Sequence, residues 1–148
     1  EKTQKIQIEP SVFWKQEGEL TFLLDLTQYS ASRLQTSINS VTTSDHQLEQ
    51  VRVPAVSIDS FVEKNNISSI DLIKLDVEGA ETDVLLGAIN TIQKYRPQLA
   101  ISIYHKKEDM FTIPLWLHSI LKNYTYHLGH YSLEIYETVW YCIPNEQY

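Results

Sequence analysis

The chain has 148 residues, enough for one sizeable core and too few for two full domains; 43% are hydrophobic, with only four glycines and five prolines, which excludes a low-complexity or disordered segment. A formal net charge of −7, with no basic run longer than Lys106-Lys107, excludes the positive stripe that a nucleic-acid backbone requires. No apolar run approaches the roughly 20 residues of a bilayer-spanning helix, the first residues lack a signal-peptide core, and Cys142 as the only cysteine leaves no intrachain disulfide or cysteine-based zinc cluster, so a soluble cytoplasmic protein is expected.

In chain order, Lys5 to Ser11 alternates loosely as a strand, and Gly18 to Leu26, "GELTFLLDL", predicts a second strand after a turn at Glu17-Gly18. Thr27 to Gln50 is polar and rich in Ser, Thr and Gln, which predicts a long loop. In "VPAVSIDSFVEKNN", Ser57 suits the N-cap of a short helix that buries Ile58, Phe61 and Val62. "DLIKLDV" then predicts a central parallel strand buried on both faces. From Gly79 the chain turns into a single helix with Val84, Leu85, Ala88, Ile89 and Ile92 on one stripe, acids at Glu81 and Asp83 in its first turn, and Lys94, Arg96 and Pro97 at its end. "LAISIYH", Leu99 to His105, is the next buried strand. Pro114 opens a helix with Leu117, Ile120, Leu121 and Tyr124 on one face, and two antiparallel strands flank Gly129 to Glu137. The alternation predicts an α/β fold in a single domain.

One junction concentrates polar chemistry. Lys74 and Asp76 share one strand face about 6.6 Å apart, at roughly 3.3 Å per residue. Asp76 then ends the strand, and in open parallel sheets ligands bind at the carboxyl edge, where Glu78 and Glu81 follow and the next strand delivers Tyr104 and His105. Three carboxylates at a helix start repel phosphate, and no P-loop spacing is present. They suit an ammonium group, the surroundings of a sulfonium, a hydroxyl proton or a hard divalent cation, and either His105 or Asp76 suits general-base work. Simpler readings stand beside these: Glu81 as a first-turn helix acid, Lys74 as a surface ion-pair partner, His105 as a hydrogen-bonded structural histidine, Tyr104 and Trp116 as core aromatics. His127 and His130, flanking Gly129, carry only a weak signal. An acid ending an apolar strand is costly to bury without a purpose, so Asp76 is the residue hardest to explain structurally.

"VPAVSIDSFV", "DLIKLDVEGAETDVLLGA", "RPQLAISIYHK" and "HYSLEIYETVWY" together resemble the FkbM family of S-adenosylmethionine-dependent methyltransferases, most specifically through Lys-x-Asp-Val-Glu-Gly-x-Glu and the Leu-x-Gly-Ala helix that follows. The resemblance is good from Val53 to Ile143 and loose upstream. It implies a Rossmann-like methyltransferase sheet with a terminal antiparallel hairpin, in which "DLIKLDV" is the fourth strand, "LAISIYH" the fifth, and Lys5 to Leu26 the third with its extension. It implies methylation of a hydroxyl on a sugar or small metabolite, with S-adenosylmethionine as cofactor. Asp76, His105 and Lys74 become the expected catalytic residues, with Lys74 setting the ionisation of Asp76. Glu78, Glu81 and Tyr104 are expected at the acceptor, and Asp76 with Ser32, in "YSASRL", at the cofactor.

Two departures qualify that expectation. Ser102 stands where the family commonly has a glutamate, and no G-x-G-x-x-G loop exists among the four glycines. The first two strand-helix units are absent, about 60 to 80 residues at roughly 30 or more per unit, so an N-terminally incomplete domain is expected. The fourth strand would then show an unpaired edge, which a homodimer could cover. Two alternatives stay open: a catalytically silent binding or assembly module, and a metal-assisted enzyme using Asp76, Glu78, Glu81 and His105.

Overall fold

The structure is a computed structural model and describes residues 6–26, 33–34, 48–134 and 136–145. Its strands form two separate four-stranded mixed sheets rather than the one expected. The first holds β1 (Val12–Phe13), β2 (Gly18–Asp25), β3 (Arg33–Leu34) and β4 (Leu48–Val56) in the order β1-β4-β2-β3. The second holds β5 (Leu72–Leu75), β6 (Gln98–Ser102), β7 (Tyr124–His130) and β8 (Thr138–Pro144) in the order β5-β6-β8-β7.

Several expectations for the first sheet change. The strand placed at Lys5 to Ser11 is instead the short β1, parallel to β4 through Val12 opposite Ala55. The polar stretch placed in a loop up to Gln50 contains β3 and the start of β4, because β2 recruits both as antiparallel partners, Leu23 opposite Gln50 and Phe22 opposite Leu34. Cross-strand pairing overrides the poor strand propensity of these residues. Residues 6–26 therefore do not supply a third strand to the sheet that contains β5.

In the second sheet β5 runs parallel to β6, with Ile73 opposite Leu99, while β8 is antiparallel to both β6 and β7. The terminal hairpin is as expected. β5 is an end strand, as expected from the absent strand-helix units, and not a central one; Ile73 and Leu75 face the core, while Leu72 on the other face is 58% exposed. Its near-continuous apolar run suggested burial on both faces, but the core packs against only the face of Ile73 and Leu75 and leaves that of Leu72 and Lys74 to water.

Helix α1 (Ile58–Lys64) starts as expected: Ser57 accepts the Ser60 N–H at 3.0 Å, and Ile58 and Val62 are buried. The helix expected from Gly79 is two, α2 (Glu81–Leu86) and α3 (Ile89–Tyr95), broken at Gly87-Ala88. A side chain at Gly87 would place its Cβ 2.1 Å from the Trp14 carbonyl oxygen, so only glycine lets the chain after β1 come this close. The α3 amides freed by the break are capped from α1, where Asp59 accepts from Thr91 N–H at 2.7 Å and Asn90 N–H at 3.1 Å. At the far end, left-handed Arg96 donates to the carbonyls of Lys122 and Asn123.

Helix α4 (Asp109–Ile120) begins five residues before Pro114, which lies inside it. Proline there removes one N–H, and Thr112 adds a side-chain hydrogen bond to the Glu108 carbonyl in the preceding turn. Tyr124, expected on this helix, instead begins β7. One cluster joins Ile58, Leu75, Leu85, Ile92, Ile101, Leu117 and Cys142, tying all four helices to the second sheet. Burial pushes the Cys142 thiol up to about 12, so it behaves as a packing residue. Among the described residues no helix is long and apolar enough to cross a membrane.

Candidate active site at the carboxyl ends of β5 and β6

After β5 the chain passes Asp76 and reverses in a tight turn, closed by the Ala80 N–H donating to the Val77 carbonyl at 3.1 Å. Both central residues have positive φ, Glu78 at 52° and Gly79 at 89°. Glycine accepts this freely; a glutamate there costs about 1–3 kcal/mol, the kind of strain that gathers at functional sites. The turn leads straight into Glu81, the first residue of α2.

Glu81 is 0% exposed. Burying a carboxylate costs several kcal/mol, whereas a helix dipole returns about 0.3–1 kcal/mol, so the first-turn role cannot by itself account for its position. Its Oε1 accepts the Val77 N–H at 3.0 Å and lies 2.7 Å from His105 Nδ1. The latter approach is short but bent: neither His105 nitrogen nor Glu81 Oε2 has a well-aligned hydrogen-bond partner, so the contact is a close polar approach and not a formed hydrogen bond. Catalytic hydrogen bonds commonly tighten only when ligand is present.

Beyond β6, Ile103 N–H donates to the Thr138 carbonyl of β8 at 3.0 Å and keeps the chain in line, which brings Tyr104 and His105 over the β5 turn. The His105 side chain is 8% exposed, and its Nε2 lies 3.6 Å from Asp76 Oδ1 and 3.5 Å from Glu78 Oε2, both at the open rim. Tyr104 covers the imidazole, with ring centres 4.1 Å apart, and its hydroxyl donates to Asp76 Oδ1 at 3.2 Å. Burial, then the adjacent Asp76 charge, pushes that phenol up to about 12, which keeps it a donor. Lys74 Nζ stands 3.8 Å from Asp76 Oδ2, a loose pair on one strand face.

The structure thus brings together Lys74, Asp76, Glu78, Glu81, Tyr104 and His105. Ser32 lies outside the described residues. Trp116 packs partly buried against the core, and His130 Nδ1 meets Thr138 Oγ1 at 2.9 Å within the hairpin. Asp109 escaped the sequence reading. It opens α4, is buried, and its Oδ2 has no partner. Burial holds its carboxyl above the ordinary carboxylate range; Lys106 opposes this, Glu81 and Glu108 add to it, and His105 opposes it. The available signal was an acid four residues past His105, hidden by placing the helix start at Pro114. Tyr136, edge-on to Tyr104 with ring centres 6.2 Å apart, left no sequence signal because the hairpin brings it in from far along the chain.

Beside the rim opens a cavity of about 370 Å³ between the two sheets, walled by Phe13, Trp14, Phe22, Leu75 and Val84, with Lys74 and Glu78 at its polar side. Its size falls in the range of small-molecule sites. Among the described residues, no group of three or more His, Cys, Asp or Glu side chains is spaced to hold a metal ion, so the geometry lends the metal-assisted alternative no support.

The sequence model described as Methyltransferase FkbM domain matches residues 4–128. The chain belongs to the FkbM methyltransferase family. A crystal structure of Methyltransferase FkbM from Methylobacillus flagellatus KT is similar to this FkbM chain at 30% identity and a TM-score of 0.55, over 62% of this chain and 23% of that one. The chain therefore spans about a quarter of the length of that relative. No curated protein matches it.

Proposed function

We propose that this FkbM chain is the acceptor-side part of a Rossmann-like, S-adenosylmethionine-dependent methyltransferase domain that methylates a hydroxyl group on a sugar or small metabolite. The observation that carries this reading is the orphaned Nε2 of a nearly buried His105, facing two partly exposed carboxylates at the ends of two parallel strands. Such a rim can accept a hydroxyl proton and hold a hydroxyl by hydrogen bonds, which is the work that O-methylation asks of a protein.

The residues present fit the cofactor in kind. The aromatic and apolar walls of the neighbouring cavity suit a purine ring, and the carboxylates of Asp76 and Glu78 suit the positive charge of a sulfonium or an ammonium. When bound, S-adenosylmethionine supplies an electrophilic methyl carbon. Asp76, held by Tyr104 and near Lys74, orients the acceptor hydroxyl; Glu78 offers a second acceptor atom; His105 or Asp76 takes the proton. The catalytically silent module is the competing outcome.

Transfer of labelled methyl from S-adenosylmethionine to a panel of hydroxylated acceptors, by the full-length protein and its Asp76→Asn variant, tests the reading. Turnover should drop at least about 100-fold, with the unfolding midpoint unchanged. Near-normal turnover would reject Asp76, and a wild-type protein neither stabilised by S-adenosylmethionine nor active would favour the silent module.

A further inference from the structure

We propose that Glu81 is a positioning residue that keeps the neutral His105 ring protonated on Nδ1, so that Nε2, rather than Asp76, receives the acceptor's proton. This deepens the reading above, on which its catalytic half rests. The buried Glu81 carboxylate lies 2.7 Å from Nδ1, whereas the carboxylates facing Nε2 are 3.5 and 3.6 Å away and open to solvent. Although the approach is bent, a proton on Nδ1 lies beside the nearer, desolvated carboxylate and is favoured by it more than a proton on Nε2 is by two hydrated ones. Nε2 then keeps its lone pair on the rim side, where an acceptor hydroxyl can approach it beside the Asp76 and Glu78 oxygens.

The surroundings restrict the alternatives. Glu81 is itself pinned by the Val77 N–H, and Tyr104 lies over the ring. The Tyr104 hydroxyl occupies Asp76 Oδ1, the oxygen nearest Nε2, so Asp76 is the poorer proton acceptor. Other charged groups around this pocket are Lys74 beside Asp76, Glu78 on the β5 turn, Lys106 beside the histidine, Glu108 and Asp109 at the start of α4, and Glu137 near Tyr104; burial favours the neutral form of the Asp109 carboxyl. In the step, the acceptor's O–H bond breaks and its proton moves to Nε2 while the oxygen bonds to the methyl carbon. The electron pair of the broken carbon–sulfur bond stays on the donor sulfur. The imidazolium so formed has Glu81 on one side and Asp76 and Glu78 on the other, and the rim carboxylates can pass the proton to water.

Nitrogen-15 NMR of histidine-labelled protein reports which ring nitrogen carries the proton, independently of activity. The wild type should show the Nδ1–H form of His105. Glu81→Gln keeps an accepting oxygen and should retain that form, while Glu81→Leu should switch it to Nε2–H. In the full-length protein Glu81→Leu should lower kcat at least about tenfold with KM unchanged, and Glu81→Gln should restore most of it. A wild-type ring protonated on Nε2 overturns the positioning role whatever the activity. So does a Glu81→Gln variant whose ring carries its proton on Nε2, a measurement that stands even where the leucine variant does not fold. Wild-type protein with the Nδ1–H form but no methyl transfer would uphold the positioning role and overturn the functional reading alone.

Discussion

In the sheet of β5, β6, β8 and β7, Ile73, Leu75, Leu99, Ile101 and Cys142 are closed off from water, whereas the sheet of β1 to β4 closes off only Leu23 and Ala55 among the described residues. The four described helices cover the former, and the latter meets the rest through Phe13 against Phe61, the Trp14–Gly87 contact and the cavity wall. The difference separates two tasks. Groups that must be held to fractions of an ångström stand on the densely packed sheet, while the thinly packed one only shapes the cavity beside them.

The sharpest way to test that contrast is matched truncation. Ile101→Ala should cost about 2–5 kcal/mol, since Ile101 is fully buried. Leu20→Ala, at a half-buried position in β2, should cost only about 1 kcal/mol. Urea denaturation of both variants measures the gap, and equal losses would remove the contrast.

A smaller effect probes the joint between the two regions. Gly87→Ala must push the Trp14 carbonyl away, because the new methyl would overlap backbone rather than a yielding side chain. We expect a loss of about 1–3 kcal/mol, read as a lower thermal midpoint, with the cavity-wall tryptophan fluorescence altered in the folded state.

The smallest effect lies under the site. The Asp109 carboxyl is raised in the folded protein, so folding binds more protons there than the unfolded chain does as pH rises past the ordinary aspartate value. Its contribution to stability is therefore present in acid and falls as pH rises through the window above 3.8, the ordinary aspartate value. Asp109→Asn should be the more stable protein at neutral pH and lose that advantage near pH 3, as measured by denaturation at both pH values. A constant difference would mean that Asp109 does not feel its burial.

Legibility differed within single elements. Asp76, Glu78 and His105 were readable as a group because strand alternation and the carboxyl-edge rule depend only on local order. The break at Gly87 was not readable, since the stripe Val84, Leu85, Ala88, Ile92 runs on as if through one helix and the reason for the break is a carbonyl more than 70 residues upstream. Glu81 shows the same limit. A helix-start acid on an exposed surface and a buried ligand of histidine have the same local sequence.

What the sequence by itself determined was the order of strands and helices in the second half, the Ser57 cap and the delivery of acids and an imidazole to one rim, because these follow from periodicity and backbone geometry within short stretches. Tertiary structure alone decided that there are two sheets, that Gly87 divides a helix, and that Glu81 and Asp109 sit buried beneath His105. Each of those depends on which distant surfaces exclude water from one another, and burial sets both the energy and the chemistry of a charged side chain.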